Sequence, residues 1–264
     1  MLFATWISTF LLAGAFAAPE GHVRRSRRPA GRQTNPLQRI QSTHVSDASA
    51  ASNISHAVYS SNWAGAVWNT YPADSFHKVT GTFTVPTPGP PDGYAAVWVG
   101  IDGSTCPTAI LQTGVDMHFE NGVVAYDAWY EWFPDRSYYF DDIIINSGDV
   151  IKLTVTAYSK TTGMAVIENL SNRQTVYQDL SYPFNPLCEM NAEWIVEDFS
   201  GGGALVPFCD FGTVTFRDAY AYLNGGGYVT PHGSTEMDIV QFGRVLTSVK
   251  ESAGAVTITY RKEL

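Results

Sequence analysis

The segment NAEWIVEDF, at positions 191–199, alternates as a β-strand does. With a period of two residues, Glu193 and Glu197 share one face, and Trp194 and Val196 point to the other. A glutamate in so apolar a strand is either a solvent-facing side chain on an edge strand or a carboxylate inside a groove. Partial burial in a groove would raise its pKa and suit it to proton transfer.

The chain after residue 57 repeats this pattern of short apolar strands separated by turns. No stretch has helical spacing of apolar residues over three turns. With 45% hydrophobic and 16% charged residues, the chain can form one large core. The pattern predicts a single all-β domain, a sandwich or a barrel. The predicted strands are 63–68, 79–85, 95–100, 109–115, 123–133, 150–158, 164–167, 175–180, 192–199, 213–216, 237–240 and 255–260.

The N-terminus has the pattern of a secretory signal. Residues 1–17 are largely apolar and end in the small-x-small sequence Ala15-Phe16-Ala17. This run is shorter than the roughly 20 residues that a transmembrane helix needs, and no later segment could span a bilayer. We therefore expect a secreted, extracellular protein that does not associate with membranes.

Charge divides the chain into a basic arm and an acidic body. Residues 1–56 contain six arginines and two acidic residues, a net charge of +4, and the remainder carries −13. A secreted chain with an acidic body is a poor nucleic-acid binder. We expect residues 18–56 to be a propeptide held on the body, residues 57–264, by opposite charge. In acid, protonation of carboxylates should weaken this contact, and self-cleavage near His56 should follow. A tail without a function is the alternative, and we expect a monomer.

Three cysteines predict one disulfide and one free thiol in a secreted protein. The sequence does not decide between the pairings Cys106–Cys188 and Cys188–Cys209. The six histidines show no spacing typical of metal ligands, and we expect neither a metal nor a cofactor. Asn53 and Asn169 begin glycosylation sequons, either of which could be unused.

Strand parity places acids, an amide and indoles together on one face of three successive strands. The opposite sets are apolar and suit a core. The polar face is either a groove for an extended polymer or an ordinary exposed face, which usually carries Lys, Thr and Ser instead of Trp. The three sets are Trp98 and Asp102; Gln112 and Asp116; and Asp127, Trp129 and Glu131.

Five motifs in series resemble those of the glutamic peptidases, the eqolisin family of secreted fungal acid endopeptidases. They are SSNWAG at 60–65, WVGIDG at 98–103, ILQTGVD at 110–116, AWYEWFP at 128–134 and NAEWIVE at 191–197. The resemblance covers nearly all of the expected body. It implies an antiparallel β-sandwich of two roughly seven-stranded sheets, with polypeptide substrates bound in a concave groove.

The resemblance also implies functional residues. Gln112 and Glu193 match the catalytic glutamine and glutamate of the family. The groove tryptophans and aspartates fall on Trp63, Trp98, Asp102 and Asp116. Glu131 is expected either to contact substrate or to support Glu193.

A glutamine and a glutamate can hydrolyse a peptide bond without a second carboxylate. Ionised Glu193 can take a proton from water and return it to the leaving nitrogen. The Gln112 amide can donate to the developing oxyanion. Because an ordinary Glu titrates near pKa ~4.3, such a pair fits acidic conditions.

Two other functions fit the same residues. A groove with Trp, Glu131 and Glu193 suits a retaining glycosidase, which needs carboxyl groups about 5 Å apart. A lectin-like module would bind sugars and would not need Glu193.

Overall fold

The computed structural model describes residues 28–41 and 58–262, in which the backbone forms strands and no helix. The predicted signal peptide, the Asn53 sequon and the expected cleavage near His56 lie outside these residues. The strands are β1 (Arg39–Ile40), β2 (Val58–Ser60), β3 (Trp63–Trp68), β4 (Phe76–Thr84), β5 (Gly93–Ile101), β6 (Ile110–Glu120), β7 (Val123–Phe133), β8 (Tyr138–Tyr139), β9 (Val150–Ser159), β10 (Thr162–Asn169), β11 (Gln174–Ser181), β12 (Ala192–Glu197), β13 (Ser200–Gly201), β14 (Ala204–Leu205), β15 (Thr213–Leu223), β16 (Tyr228–Val229), β17 (Thr235–Gln241), β18 (Arg244–Val245), β19 (Thr247–Ser252) and β20 (Ala255–Tyr260).

The strands form two large sheets, which confirms the predicted β-sandwich. The first has the order β1-β2-β17-β3-β12-β5-β6-β7-β8, with β18 beside β17. The second has the order β11-β10-β9-β4-β15-β20-β19, with β16 beside β15. Pairing is antiparallel apart from the parallel pair β2–β17. The sheets hold ten and eight strands, more than the seven expected of each, because short edge strands extend them.

The segment at 191–199 forms a central strand, not an edge strand. β12 lies between β3 and β5, and all six of its residues are buried. Trp194 and Val196, which parity puts on the face opposite Glu193, enter the core between the sheets. The Trp194 indole N–H donates to the carbonyl of Thr80 on β4, at 2.9 Å, and so links the two sheets.

The cysteines adopt one of the two pairings left open by the sequence. Cys106 is bonded to Cys188, and Cys209 is a buried free thiol. Asn169 is also buried, and its amide nitrogen donates to the Ile144 carbonyl and to Asp149, at 2.9 and 2.8 Å. Over the two described ranges, no helix has the length and apolarity required to cross a membrane.

The described part of the basic arm, residues 28–41, packs on the body. We call it the arm segment. Its strand β1 pairs with β2, and a backbone pair joins Gln33 to Ser200. Further along, the Leu37 N–H donates to the carbonyl of Gly103, at 3.0 Å. The arm segment therefore lies across the first sheet, on the face that carries Glu193.

Candidate active site

Three neighbouring strands place Gln112 and Glu193 in one row. Glu193 on β12 is aligned with Gly100 on β5, and Gly100 is aligned with Gln112 on β6. The next residue in the row is Glu131 on β7. Residues aligned across neighbouring strands point to the same face of a sheet. Gln112 and Glu193 therefore share a face, separated by one strand that has no side chain at this point. We call this the groove face.

Gly100 keeps the space between the two side chains open. A Cβ atom at this position would lie 2.8 Å from the Trp98 ring and 3.1 Å from Oε1 of Glu193. The first distance is shorter than a carbon–carbon contact allows. Gly100 is therefore required by the space of the site, and not by a turn of the backbone.

Neither member of the pair has a hydrogen-bond partner among the residues that the structure describes. Gln112 and Glu193 have no exposed surface. Among the described residues, none offers a hydrogen bond to either amide atom of Gln112 or to either carboxyl oxygen of Glu193. Burial, and to a lesser degree the charge of Asp102, raises the pKa of Glu193 well above its usual range. Unpaired buried polar atoms are costly, and their clustering is typical of a site that binds something else.

Asp102 has structural partners in this site. Its carboxyl oxygens accept hydrogen bonds from the backbone N–H groups of residues 188–191, at 2.7 to 3.2 Å. Burial raises the pKa of Asp102 to about 6, although these N–H groups oppose the rise. The aspartate thereby fixes the loop that leads into β12 and positions Glu193. A direct contact of Asp102 with substrate stays a prediction.

Trp63 and Trp98 lie on the groove face, as the sequence predicts. Their rings meet edge to face, with centroids 4.9 Å apart. The Trp63 indole donates to the carbonyl of Asn35 in the arm segment, at 3.0 Å. The Trp98 indole donates to Oε2 of Glu197, at 3.1 Å. Trp63 is therefore hydrogen-bonded to the backbone of the arm segment.

Asp116 and Glu131 hold an arginine of the arm segment. Both oxygens of Asp116 accept from the Arg32 guanidinium, at 3.1 and 3.0 Å. Oε2 of Glu131 accepts from the same group at 3.0 Å. The guanidinium also lies 3.6 Å from the centroid of the Trp129 ring. We call this the arginine pocket.

Comparison with known proteins identifies the family. Residues 61–260 match the family described as the Peptidase A4 family. This chain belongs to the peptidase A4 family. Its members are the glutamic peptidases, or eqolisins. The protein is therefore a peptidase, a hydrolase that cleaves peptide bonds.

The similar proteins extend over most of this peptidase. It is 46% identical over 286 aligned residues to aspergillopepsin-2 of Aspergillus niger, covering 98% of this chain and 100% of that protein. It is 39% identical over 226 residues to scytalidopepsin B of Scytalidium lignicola, covering 80% of each.

Two solved structures agree with this assignment. A scytalido-glutamic peptidase bound to a transition state analog inhibitor has a TM-score of 0.70, with 38% identity, 76% coverage of this chain and 98% of that one. The aspergilloglutamic peptidase of Aspergillus niger has a TM-score of 0.62, with 55% identity, 64% coverage of this chain and 99% of that one.

The geometry disfavours the glycosidase that Glu131 and Glu193 suggested. These residues are three strands apart in the row, roughly 14 Å between backbones at about 4.8 Å per strand. Gln112 lies between them, and Glu131 is bound to Arg32. A retaining glycosidase requires its two carboxyl groups about 5 Å apart.

Sequence analysis of the site missed one acidic residue of the peptidase. Glu197 is fully buried on the groove face and accepts from the Asn35 N–H of the arm segment, at 3.1 Å. Burial raises the pKa of Glu197 to about 8, although Arg32 opposes the rise. The signal was present, because strand parity puts Glu197 on the same face as Glu193.

Proposed function

We propose that this peptidase is a secreted acid endopeptidase in which Gln112 and Glu193 are the catalytic dyad. The observation that carries the proposal is the row on the groove face. It holds an amide and a carboxyl group on either side of Gly100, both buried and neither with a described protein partner. Secretion is supported by the N-terminal sequence pattern of residues 1–17.

The dyad would divide the chemistry between a titrating and a non-titrating group. Ionised Glu193 takes a proton from water as the oxygen attacks the peptide carbonyl. The Gln112 amide N–H donates to the oxyanion that forms, and its carbonyl holds the water. Glu193 then passes the proton to the leaving nitrogen, and the C–N bond breaks. Only one carboxyl group has to be in the correct state.

Glu193 is buried in a structure that has the arm segment on the groove face. Loss of water is the main cause of its raised pKa. Water that enters the groove when the arm leaves would reduce this effect and return the pKa toward the usual value near ~4.3. The carboxylate would then form under acidic conditions.

Substitution of each dyad residue tests the proposal. Gln112→Ala and Glu193→Gln should lower kcat on an acid-denatured protein substrate by about 10²-fold or more. The matched controls Gln178→Ala and Glu168→Gln lie on the second sheet and should retain wild-type activity. Pepstatin is included to exclude an aspartic protease contaminant. Wild-type kcat in Glu193→Gln would contradict the assignment.

We also propose that residues 18–56 are a propeptide that blocks the groove. The support is the contact of the arm segment with groove residues. Asn35 binds both Trp63 and Glu197 through its backbone, and Arg32 fills the arginine pocket. A second arginine of the arm segment, Arg28, forms an ion pair with Asp127, at 2.8 Å.

Removing the Arg32 charge tests the propeptide. Arg32→Gln should weaken the binding of the arm segment to the body, because Asp116 and Glu131 would be left buried without a counter-charge. On acidification, the variant should lose the arm faster than the wild type does, and mass spectrometry measures this rate. Arg39→Gln is the control, since Arg39 is exposed in the same segment. Equal rates in the two variants would refute the electrostatic hold, and loss of the arm from a Glu193→Gln chain free of other proteases would refute self-cleavage.

A further inference from the structure

Asn191 ends the loop before β12, and both polar atoms of its side-chain amide are hydrogen-bonded. Oδ1 accepts from the backbone N–H groups of residues 104–106, at 3.2, 2.8 and 3.3 Å. Nδ2 donates to the Thr105 hydroxyl at 2.8 Å and to the Trp68 carbonyl at 3.5 Å. The side chain is fully buried. These bonds fix the amide in one orientation, because a buried amide that turned would leave its polar atoms unpaired.

Asn191 and Asp102 bind each other's loops, and we call this reciprocal pair the clamp. The Asp102 carboxyl group accepts from the N–H groups of residues 188–191, that of Asn191 at 3.2 Å. In return, the Asn191 carbonyl accepts from the Asp102 N–H at 3.3 Å. The disulfide Cys106–Cys188 joins the same two loops. Hydrogen bonds in both directions and one covalent bond therefore hold the loops together.

The clamp lies two residues before Glu193, at the end of its strand. β12 begins at Ala192, so Glu193 is the second residue of the strand. The ends of a strand open more readily than its centre. No described residue offers a hydrogen bond to the Glu193 carboxyl group, so the backbone that carries this side chain has to be fixed instead.

We propose that Asn191 is a positioning residue of the peptidase, which acts through the backbone that carries Glu193. The inference rests on the proposed function, because it takes Glu193 as the group that transfers the proton. Loss of the Asn191 amide would release three N–H groups of the facing loop and loosen the start of β12. The Glu193 carboxyl group would then shift relative to Gln112, which β6 holds separately. A displacement of about 1 Å at a reacting group can lower a rate about 10²-fold.

Asn191→Ala tests the inference in the acid-activated peptidase, with a peptide that the wild type cleaves. kcat should fall by about tenfold or more, whereas KM should change by less than about twofold, because the variant leaves the substrate-binding side chains of the groove in place.

Asn169→Ala is the matched control, because Asn169 is an equally buried asparagine at the end of β10 in the second sheet. Its Oδ1 accepts from the N–H groups of residues 171 and 172, and its Nδ2 donates to Ile144 and Asp149. Urea unfolding, with Glu193→Gln added to prevent self-digestion, should show that both alanine variants are destabilised. Only Asn191→Ala should lose kcat.

Two milder variants separate the hydrogen bonds of the clamp from the fold. In acid, burial and the neighbouring Asp102 keep a carboxyl group at position 191 neutral, so Asn191→Asp retains an acceptor for the three N–H groups and should recover most of the kcat lost in Asn191→Ala. Thr105→Val, at an exposed position, removes one bond of the Asn191 amide and should lower kcat by about threefold. Thr105→Val decides the test if Asn191→Ala does not fold.

Wild-type kcat in a folded Asn191→Ala, or in Thr105→Val where that variant decides, would overturn the inference and leave the dyad standing. Equal losses of kcat in Asn191→Ala and Asn169→Ala would also overturn it, because the effect would then follow stability alone. A kcat no higher in Asn191→Asp than in Asn191→Ala would refute the N–H contacts as the cause. Wild-type kcat in Glu193→Gln would instead overturn the proposed function, and the positioning role with it.

Discussion

Replacing Asp238 with asparagine should stabilise the protein at neutral pH but not in acid. Asp238 lies on β17 with 1% of its surface exposed. Its Oδ1 accepts from the Thr247 hydroxyl at 2.8 Å, a bond that asparagine can keep. Burial, with a smaller contribution from Glu236, raises the pKa of Asp238 to about 7, while Thr247 and Arg261 oppose the rise.

The direction of the effect follows from this raised pKa. Between the unfolded pKa near ~3.9 and the folded value, the folded state binds more protons, so the free energy of unfolding falls as pH rises. A difference of about three pKa units, at about 1.4 kcal/mol each, gives a loss of at most about 4 kcal/mol at pH 7. Asparagine cannot ionise, so Asp238→Asn should recover most of this loss at pH 7. At pH 3.5 the two chains should differ by less than about 1 kcal/mol.

Urea unfolding at pH 3.5 and pH 7, followed by tryptophan fluorescence, measures both values. The comparison is made in a Glu193→Gln background, which should suppress self-digestion during the experiment. Asp179→Asn, at an exposed position on β11, is the control and should change neither value. If Asp238→Asn leaves the free energy of unfolding at pH 7 unchanged, the attribution of the raised pKa to burial is wrong.

Two further predictions concern the space in the dyad row and the second sequon. Gly100→Ala should lower kcat by about 10²-fold or more, because the new methyl group enters the space between Gln112 and Glu193. Gly225→Ala, where an added Cβ meets no atom within 4 Å, is the control in the same steady-state assay. A folded Gly100→Ala variant with wild-type kcat would contradict the requirement for glycine at position 100. Asn169 should carry no glycan in the secreted protein, since its amide is buried and bonded to Ile144 and Asp149; a glycopeptide at this position in mass spectrometry would contradict that prediction.

Sequence parity predicted which side chains share a face. It put Trp194 and Val196 on one face of their strand and Glu193 on the other, and the structure confirms this division, with Trp194 and Val196 in the core. It worked because side chains in a strand alternate strictly, so a residue's face depends only on its own strand. The same reasoning could not identify β12 as a central strand, since its neighbours β3 and β5 are distant in sequence.

The alignment of Gln112 and Glu193 in one row depended on strand order. Gln112 and Glu193 are far apart in the chain, and only the order β12-β5-β6 brings them to either side of Gly100. The motif resemblance named both residues, but it offered no reason for the glycine between them. That reason is steric, and it exists only once the three strands are aligned.

The sequence alone determined an all-β chain, the division of charge between a basic arm and an acidic body, and the faces of its strands, because alternation and net charge are local or additive properties. Tertiary structure decided the rest. It selected the disulfide Cys106–Cys188 over Cys188–Cys209. It also bonded the Asp102 carboxyl group to backbone N–H groups and placed Arg32 between Asp116 and Glu131. Each of these depends on a distance between residues remote in sequence, which pairing and packing of the two sheets fix.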